Sequence, residues 1–264
     1  SKEKQDLIVT ACNEITNGIH DQQFPLSVWQ TGSGTQTNMN VNEVISNIAS
    51  KVTKTPMGSH YPLHPNDHVN RSQSTNDIFP AAIQIATVAE IHSNLLPEID
   101  LLIKSFERKV IEWDGIIKTG RTHLQDAVPI TLGQEVSAWK EQLLIARNRI
   151  HEGLREIYFL PLGGTALGTG LNAPSGFDQK IVSELATLTK FPFTPALNKF
   201  SMMASHDGLV NVMSHLKMLA ISLFKIANDI RLLSCGPRAG FGELILPSNE
   251  PGSSIMPGKI NPTQ

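Results

Sequence analysis

The chain has 264 residues, of which 40 % are apolar types and 17 % are charged types, so it can bury a sizeable hydrophobic core. It carries 22 Lys and Arg against 24 Asp and Glu, a formal net charge of −2. This balance disfavours nucleic acid and anionic membranes as partners, and any bound anion must be held by local groups.

Apolar residues recur at helical spacing along most of the chain, and the sequence predicts an all-α fold of long antiparallel helices. Shorter helices are predicted in chain order at 5–17, 40–52 and 176–189. Three longer apolar stripes run from Val88 to Val110, from Val136 to Ile157 and from Leu209 to Leu233.

The ends of the longer helices carry their own signals. Pro97 should kink the first stripe or restart the helix at a first-turn position. Thr131 and Gln134 have the spacing of a capping box ahead of the second stripe. Gly236 followed by Pro237 should end the third. A strand is expected only at Glu243–Leu246.

The longest apolar run, 218–224, lies between Lys217 and Lys225 and is too short to cross a bilayer. Cys12 and Cys235 lack metal or redox spacing and fit a reducing compartment. Neither a signal nor a transit segment is visible.

Polar stretches separate the helices, and the first two of them suit anion binding. Residues 31–42 combine hydroxyls, amides and two glycines ahead of a helix, although this stretch alone favours a solvated turn. Residues 64–77 are dense in neutral donors at the start of a helix. His60, His64 and His68 are spaced like metal ligands on a helix, but Pro62 and Pro65 interrupt that helix, so no metal is expected.

The remaining polar stretches supply the candidates for chemistry. Residues 120–126 gather a cation, a hydroxyl, an imidazole, an amide and a carboxylate, and His123 is the acid/base candidate among nine histidines. Residues 252–262 have glycines near both ends and indicate either a mobile flap or a plain connecting loop. The glycine-rich stretch 163–170 lacks the lysine of a phosphate loop and is predicted as a turn.

At these stretches the sequence resembles the class II fumarase branch of the fumarase/aspartase superfamily, along essentially the whole chain. The motifs that carry the resemblance are Gly-Ser-Gly-Thr-Gln at 32–36, Ser-Thr-Asn-Asp at 74–77, Gly-Arg-Thr-His at 120–123 and the signature loop from Gly252 to Asn261. His123 and the Pro-Gly-Lys of 257–259 match fumarases, whereas aspartases typically carry Gln and Pro-Ala-Lys there.

The resemblance implies reversible hydration of fumarate to L-malate in the tricarboxylic acid cycle, by anti addition of water through an aci-carboxylate and without any cofactor. Ser253 would take the C3 proton, and Lys259 with Asn261 would hold the carboxylate that gains charge. His123 with Thr122 would act on the C2 hydroxyl through a bound water. The residues implied to bind substrate are Ser33, Thr35, Ser74, Thr75, Asn76, Thr122, Lys259 and Asn261. A second, peripheral dicarboxylate site is implied at His64, Asn66 and Asp67.

The resemblance also implies a homotetramer with active sites shared between subunits, in the bacterial cytoplasm or the mitochondrial matrix. Residues 1–73 would belong to the N-terminal lyase domain, and 74–264, with the signature loop 251–261, to an incomplete central helical bundle. Because the chain begins at Ser1 without Met and ends without a closing helix, we expect a fragment. The alternatives are an aspartase-type ammonia lyase and a catalytically inactive truncated lyase subunit.

Overall fold

The computed structural model describes residues 1–263, and the chain divides into two compact units. The first unit comprises residues 1–93 and 154–210. The second unit comprises residues 94–153 together with the chain from residue 211 onward. The predicted boundary between residues 73 and 74 concerns the domains of the superfamily and stays a prediction.

Each unit is predominantly helical, which confirms the predicted fold class. The helices are α1 (Lys2–Thr16), α2 (Thr35–Thr53), α3 (Thr75–Glu90), α4 (Leu96–Glu112), α5 (Leu132–Ile157), α6 (Phe177–Thr189), α7 (Lys199–Ala204) and α8 (Asp207–Leu233). A 3-10 turn forms at Asp21–Gln23, and π-helical turns form at Pro65–Val69 and Ile91–Leu95. The strands are β1 (Ile117–Thr122) and β2 (Gln125–Thr131), which form an antiparallel hairpin, and β3 (Phe159–Leu160) and β4 (Thr194–Pro195), which pair in parallel.

The local signals at the helix ends are confirmed. α4 begins at Leu96 with Pro97 in its first turn, so the proline restarts the helix after the π-helical turn. The N–H of Thr131 donates to Gln134 Oε1 at 2.9 Å, and the N–H of Gln134 donates to Thr131 Oγ1 at 3.0 Å. These reciprocal bonds satisfy two backbone donors at the start of α5. α8 ends at Leu233, three residues before Gly236, whose φ is +117°.

The expected strand at Glu243–Leu246 is wrong. The N–H groups of Glu243 and Leu244 both donate to the carbonyl of Leu233, at 2.9 and 3.1 Å, so this segment caps the last turn of α8 instead of joining a sheet. The longer strands, β1 and β2, lie elsewhere and include the stretch 120–126, which the sequence indicated as a polar connection.

The core of the first unit lies where α1 and α2 pack together. Its buried residues are Ala11, Val44, Ile45, Ile48, Ala49 and Leu63. Ser46 and Ser50 of α2 are buried as well, and their hydroxyls donate to the carbonyls of Leu63 and Tyr61, at 2.6 and 2.9 Å respectively. The chain that leads into the polar stretch 64–77 is therefore fixed against α2.

In the second unit, Trp139 on α5 links the three long helices. Its ring lies edge-on to Phe106 of α4 at 5.8 Å, and its indole N–H donates to Asp229 of α8 at 3.0 Å. An ion pair between Arg147 and Asp100, 2.6 Å long, joins α5 to α4 a second time. These contacts fix the helix bundle that carries the hairpin and the signature loop.

α8 is long and apolar enough to cross a membrane by length and composition. One such helix is weak evidence, because a core helix of a globular protein passes the same test. Its buried residues recur every seven positions, the pattern of a bundle helix. They are Val212, Leu219, Ile226 and Leu233.

Candidate active site

The residues predicted for the active site are divided between the two units. The first unit contains Ser33, Thr35, Ser74, Thr75, Asn76, His64, Asn66 and Asp67, and the second contains Thr122, His123, Ser253, Lys259 and Asn261.

His123 lies at the tip of the β1–β2 hairpin. His123 and Leu124 form its two-residue turn, with φ values of 52° and 62°, next to the strand pair Thr122 and Gln125. A tight hairpin turn of this shape usually contains Asn or Gly, and a left-handed conformation costs other residues about 1–2 kcal/mol each. The turn therefore stores strain and presents Thr122 and His123 to solvent.

Ion pairs anchor strand β1 of this hairpin. Lys118 Nζ lies 2.6 Å from one carboxylate oxygen of Glu243, and Arg121 donates to the other oxygen at 2.7 Å. Lys118 also pairs with Glu135 of α5, and its side chain is only 8 % exposed. The guanidinium of Arg121 stacks on the ring of Phe241 at 4.3 Å.

Electrostatic interactions within this cluster stabilise the ionised forms of Glu243 and Arg121. Burial opposes ionisation of Glu243, but hydrogen bonds from Arg121 and Lys118 together hold the pKa of Glu243 below its usual range. The hydrogen bond to Glu243 likewise raises the pKa of Arg121. The sequence analysis missed Glu243 as an anchor, because more than a hundred residues separate it from the strand that it holds and no local spacing signals the pairing.

The side chain of Ser253 lies at a focus of backbone donors. Its Oγ accepts hydrogen bonds from the N–H groups of Ile255 and Met256, both at 3.2 Å. N–H groups that point at a hydroxyl oxygen stabilise negative charge on it, and this lowers the cost of removing its proton. The loop geometry thus suits a serine that acts as a base.

Lys259 and Asn261 close the same loop. The N–H of Gly252 donates to the carbonyl of Lys259 at 2.8 Å, and a Cβ added at Gly252 would lie 2.5 Å from that carbonyl oxygen, so only glycine fits. Lys259 Nζ lies 3.4 Å from the carbonyl of Gly252 and donates to Asn261 Oδ1. Asn261 Nδ2 donates to the carbonyl of Gly252 at 2.9 Å. The structure thereby brings Ser253, Lys259 and Asn261 together in one closed loop.

In the first unit, Ser74, Thr75 and Asn76 form the start of α3. Ser74 Oγ accepts from the N–H of Asn76 at 3.2 Å, and Asn76 Nδ2 donates to the carbonyl of Ala166 at 2.8 Å. Thr75 Oγ1 accepts from the buried amide of Asn38 on α2 at 2.9 Å. The N-terminus of α3 is thus surrounded by small neutral donors and acceptors.

Asp77, which completes the Ser-Thr-Asn-Asp motif, is fully buried. Its carboxylate accepts from the N–H groups of Ser74 at 2.9 Å, Gly163 at 3.1 Å and Thr165 at 2.9 Å. Burial raises the pKa of Asp77, and these three hydrogen bonds offset part of that effect. The glycine-rich stretch 163–170 is therefore held against α3, a contact across 86 positions of sequence that the sequence analysis missed.

Ser33 and Thr35 lie at the start of α2, where both are exposed. Gly34 between them has a φ of +74°, and a Cβ added there would lie 2.3 Å from the ring of Phe79. The sequence left a solvated turn or close approach to an anion as the two interpretations of this stretch; in the structure the space beside Gly34 is filled by the aromatic ring of Phe79.

The predicted second dicarboxylate residues surround the π-helical turn at 65–69. His64 caps this turn, since its Nδ1 accepts from the N–H groups of Asn66 and Asp67, both at 3.2 Å. His68 in turn accepts from the N–H of His64 at 2.8 Å and lies 2.6 Å from Lys4 Nζ. Across residues 1–263 the structure shows no group of His, Cys, Asp or Glu side chains that could hold a metal ion.

One cavity of about 490 Å³ in the first unit brings these sets together. Ser74 and Thr75 line it beside Asn66 and Asp67, so residues predicted for two separate sites share one surface in this chain. The other lining residues are Asn38, Met39, Asn70, Arg71, Ser72, Gln73, Thr165, Ala166, Leu171 and Asn172. In the second unit, His123 borders a cavity of about 380 Å³ together with Lys118, Arg121 and Glu135.

The family model described as "Lyase" matches residues 1–264, and the chain belongs to that family. It is 72 % identical over all of its length to "Fumarate hydratase class II" of a strain of Prochlorococcus marinus. It is 56 % identical to human "Fumarate hydratase, mitochondrial" over 97 % of its length, which covers 50 % of that protein.

A solved structure, the recombinant class II fumarase of Schistosoma mansoni, superposes with a TM-score of 0.96 at 46 % identity, covering 100 % of this chain and 58 % of that one. The resemblance to class II fumarases that the motifs indicated is thereby confirmed. The chain spans 57 % of the length of the Prochlorococcus relative.

Proposed function

We propose that the full-length protein is a class II fumarate hydratase, which interconverts fumarate and L-malate in the tricarboxylic acid cycle. The observation that carries the proposal is the geometry of the signature loop. Two N–H groups converge on Ser253 Oγ, and Lys259 and Asn261 lie in the same closed loop. The similarity to fumarate hydratases over the whole chain supports the same reaction.

In this proposal Ser253 acts as the base for dehydration of L-malate. Its alkoxide takes the proton from C3, and the electron pair of the broken C–H bond enters the neighbouring carboxylate to give the dianionic aci-carboxylate. The C2–O bond then breaks, and the hydroxyl leaves as water after it receives a proton. Hydration of fumarate follows these steps in reverse, with the serine hydroxyl returning the proton to C3.

Lys259 and Asn261 would stabilise the carboxylate that gains charge. An ammonium group has three donors, and Lys259 directs two of them at Gly252 and Asn261. The third remains for the substrate. Because the extra negative charge exists only along the reaction path, this interaction should increase turnover more than ground-state binding.

His123 with Thr122 would deliver the proton to the departing hydroxyl through a bound water. Both side chains are exposed at the tip of the hairpin. Ser33, Thr35, Ser74, Thr75 and Asn76 would bind the substrate carboxylates through hydroxyls, amides and the N-terminus of α3. His64, Asn66 and Asp67 would form the second dicarboxylate site.

A homotetramer with shared active sites would complete this arrangement. Beside its buried stripe, α8 exposes a second apolar face at Met213, Ile221 and Phe224, which are 64 %, 58 % and 72 % exposed. Apolar faces of this kind on a bundle helix usually pack against a partner. The proposed location is the bacterial cytoplasm or the mitochondrial matrix, because the similar proteins include a bacterial one and a human one named as mitochondrial.

The proposed reaction is tested by following the ultraviolet absorbance of fumarate in the presence of the full-length protein, with and without ammonium. We expect fumarate to disappear at the same rate in both, with L-malate as the product. Loss of fumarate that requires ammonium would contradict the proposal and assign the protein to the aspartase branch.

A further inference from the structure

Thr165, in the glycine-rich stretch 163–170, has an unusual backbone for its residue type. Its φ is 57°, in the left-handed region that glycine adopts freely and that β-branched residues rarely enter. The residue is also only 5 % exposed. Strained conformations of this kind persist where the surrounding structure holds them, and they cluster at functional sites.

The hydroxyl of Thr165 is buried as well and has no hydrogen-bond partner within the described part of the chain. Nearly all buried polar side-chain atoms in folded proteins are paired, because an unpaired hydroxyl loses its bonds to water without replacement. A strained threonine with an unpaired hydroxyl is therefore unfavourable for folding on two counts; glycine would avoid both, and alanine would avoid the second.

The surroundings of Thr165 indicate a ligand for this hydroxyl. Thr165 lines the cavity of about 490 Å³ that Ser74 and Thr75 also line at the N-terminus of α3. α3 has 16 residues, so its first turn directs backbone N–H groups and partial positive charge toward this end. Arg71 adds a cationic side chain to the same cavity. These groups suit an anion with several acceptor atoms.

The position of Thr165 is fixed by α3 itself. Asp77 accepts the N–H groups of Gly163 and Thr165, and Asn76 donates to the carbonyl of Ala166. The carboxylate of Asp77 is fully buried and engaged by backbone donors, so its charge does not face the cavity. The acidic residue among those that line the cavity is Asp67, which lies 3.5 Å from His64 Nδ1.

We infer that Thr165 is a further substrate-contacting residue, whose hydroxyl donates a hydrogen bond to a carboxylate of a dicarboxylate bound at the N-terminus of α3. The inference rests on the proposed function and adds the turn at 163–165 as a second wall of its carboxylate site. The strain and the unpaired hydroxyl are then explained, because the ligand supplies the acceptor that the folded chain lacks.

The test compares Thr165→Val, which removes the hydroxyl and keeps the branched shape, with Thr165→Ser, which keeps the hydroxyl. Thr169→Val is the matched control, since it makes the same change at an exposed position of the same stretch. In the full-length protein we would measure the dissociation constant of succinate, an unreactive dicarboxylate, by calorimetry, together with kcat and KM for L-malate and the melting temperature without ligand.

We expect Thr165→Val to weaken succinate binding and raise KM by about 10- to 100-fold, the range for one hydrogen bond to a charged group. The succinate dissociation constant and KM of Thr165→Ser and of Thr169→Val should both stay within a few-fold of the wild-type values. Without ligand, Thr165→Val should melt no lower than wild type, because it removes an unpaired buried hydroxyl. Affinity and stability therefore change independently, which a purely structural role would not produce.

Wild-type affinity and KM in Thr165→Val would overturn the inference and leave the proposed function intact. If Thr165→Val weakens succinate binding but the wild-type protein does not hydrate fumarate, the proposed function is wrong and the carboxylate site still stands. If Thr165→Val does not fold, the pair Thr165→Ser and Thr165→Ala decides the matter, since these variants differ only in the hydroxyl. Equal affinities in that pair would also overturn the inference.

Discussion

Arg121 and Glu243 are joined by an ion pair of 2.7 Å that ties the β1–β2 hairpin to the segment after α8. The side chains are 19 % and 18 % exposed, so water screens the pair only partly. Lys118 completes the cluster on the second oxygen of the carboxylate. Since Thr122 and His123 follow Arg121 directly, this cluster fixes the strand of the hairpin that leads to them.

Glu243→Gln should therefore lower both stability and turnover of the full-length protein. Two cations that are mostly shielded from water lose their shared carboxylate, and we expect the free energy of unfolding to fall by about 1–3 kcal/mol, below the range for fully buried pairs. Turnover should fall because the hairpin is less firmly held. Urea unfolding and fumarate hydration rates measure the two effects.

Glu112→Gln is the control, because its pair with Lys109 is a surface ion pair whose side chains are 57 % and 44 % exposed. Such pairs contribute little, so stability and turnover should stay close to wild type. Equal behaviour of the two variants would mean that the Glu243 cluster does not hold the hairpin.

The same cluster predicts how stability depends on pH. Its partners lower the pKa of Glu243, so the stabilisation is present above the usual glutamate value of about 4.5 and is lost as pH falls through the lower value in the folded protein. The difference in unfolding free energy between wild type and Glu243→Gln should be constant between pH 6 and 8 (roughly the range of maximal stability) and shrink below about pH 4.5. A difference that grows on acidification would have the wrong sign and exclude this linkage.

Local patterns predicted the helices well, because the signals lie within one element. The capping box of Thr131 and Gln134 and the seven-residue repeat of α8 are examples. The hairpin was missed because its turn residues, His123 and Leu124, are not the Asn or Gly that such a turn prefers. The contact of Asp77 with Gly163 depends on tertiary folding, and no short-range spacing reveals it.

The strain in the hairpin turn formed by His123 and Leu124 can be tested by Leu124→Gly. Leu124 is 59 % exposed with a φ of 62°, so glycine should relieve the left-handed conformation and raise stability by about 1 kcal/mol. Leu167→Gly is the control: Leu167 is 73 % exposed and lies outside the positive-φ residues, and glycine there should lower stability slightly. Thermal unfolding distinguishes them, and destabilisation by Leu124→Gly would show that its side-chain contacts outweigh the strain.

The roles assigned to the signature loop predict that Ser253→Ala and Lys259→Ala each reduce kcat of the full-length protein far more than they raise KM. Ser253 acts only while the proton moves, and its loss should reduce turnover by about 10²–10⁴-fold. Lys259 opposes charge that develops on the reaction path, and its loss should cost roughly 10²–10³-fold. Since the ammonium also attracts the substrate dianion, KM should rise more in Lys259→Ala than in Ser253→Ala.

Ser254→Ala is the control for the base, because it removes the same hydroxyl one residue further along the loop. The N–H groups of Ile255 and Met256 donate to Ser253 Oγ, whereas the side chain of Ser254 is exposed. We therefore expect Ser254→Ala to stay within a few-fold of wild type in steady-state assays with L-malate (the scale of about 1 kcal/mol or less). A severe loss in Ser254→Ala with a nearly silent Ser253→Ala would assign the base to the other serine. If neither variant lost activity, the loop would be a lid, and the proton acceptor would have to be His123.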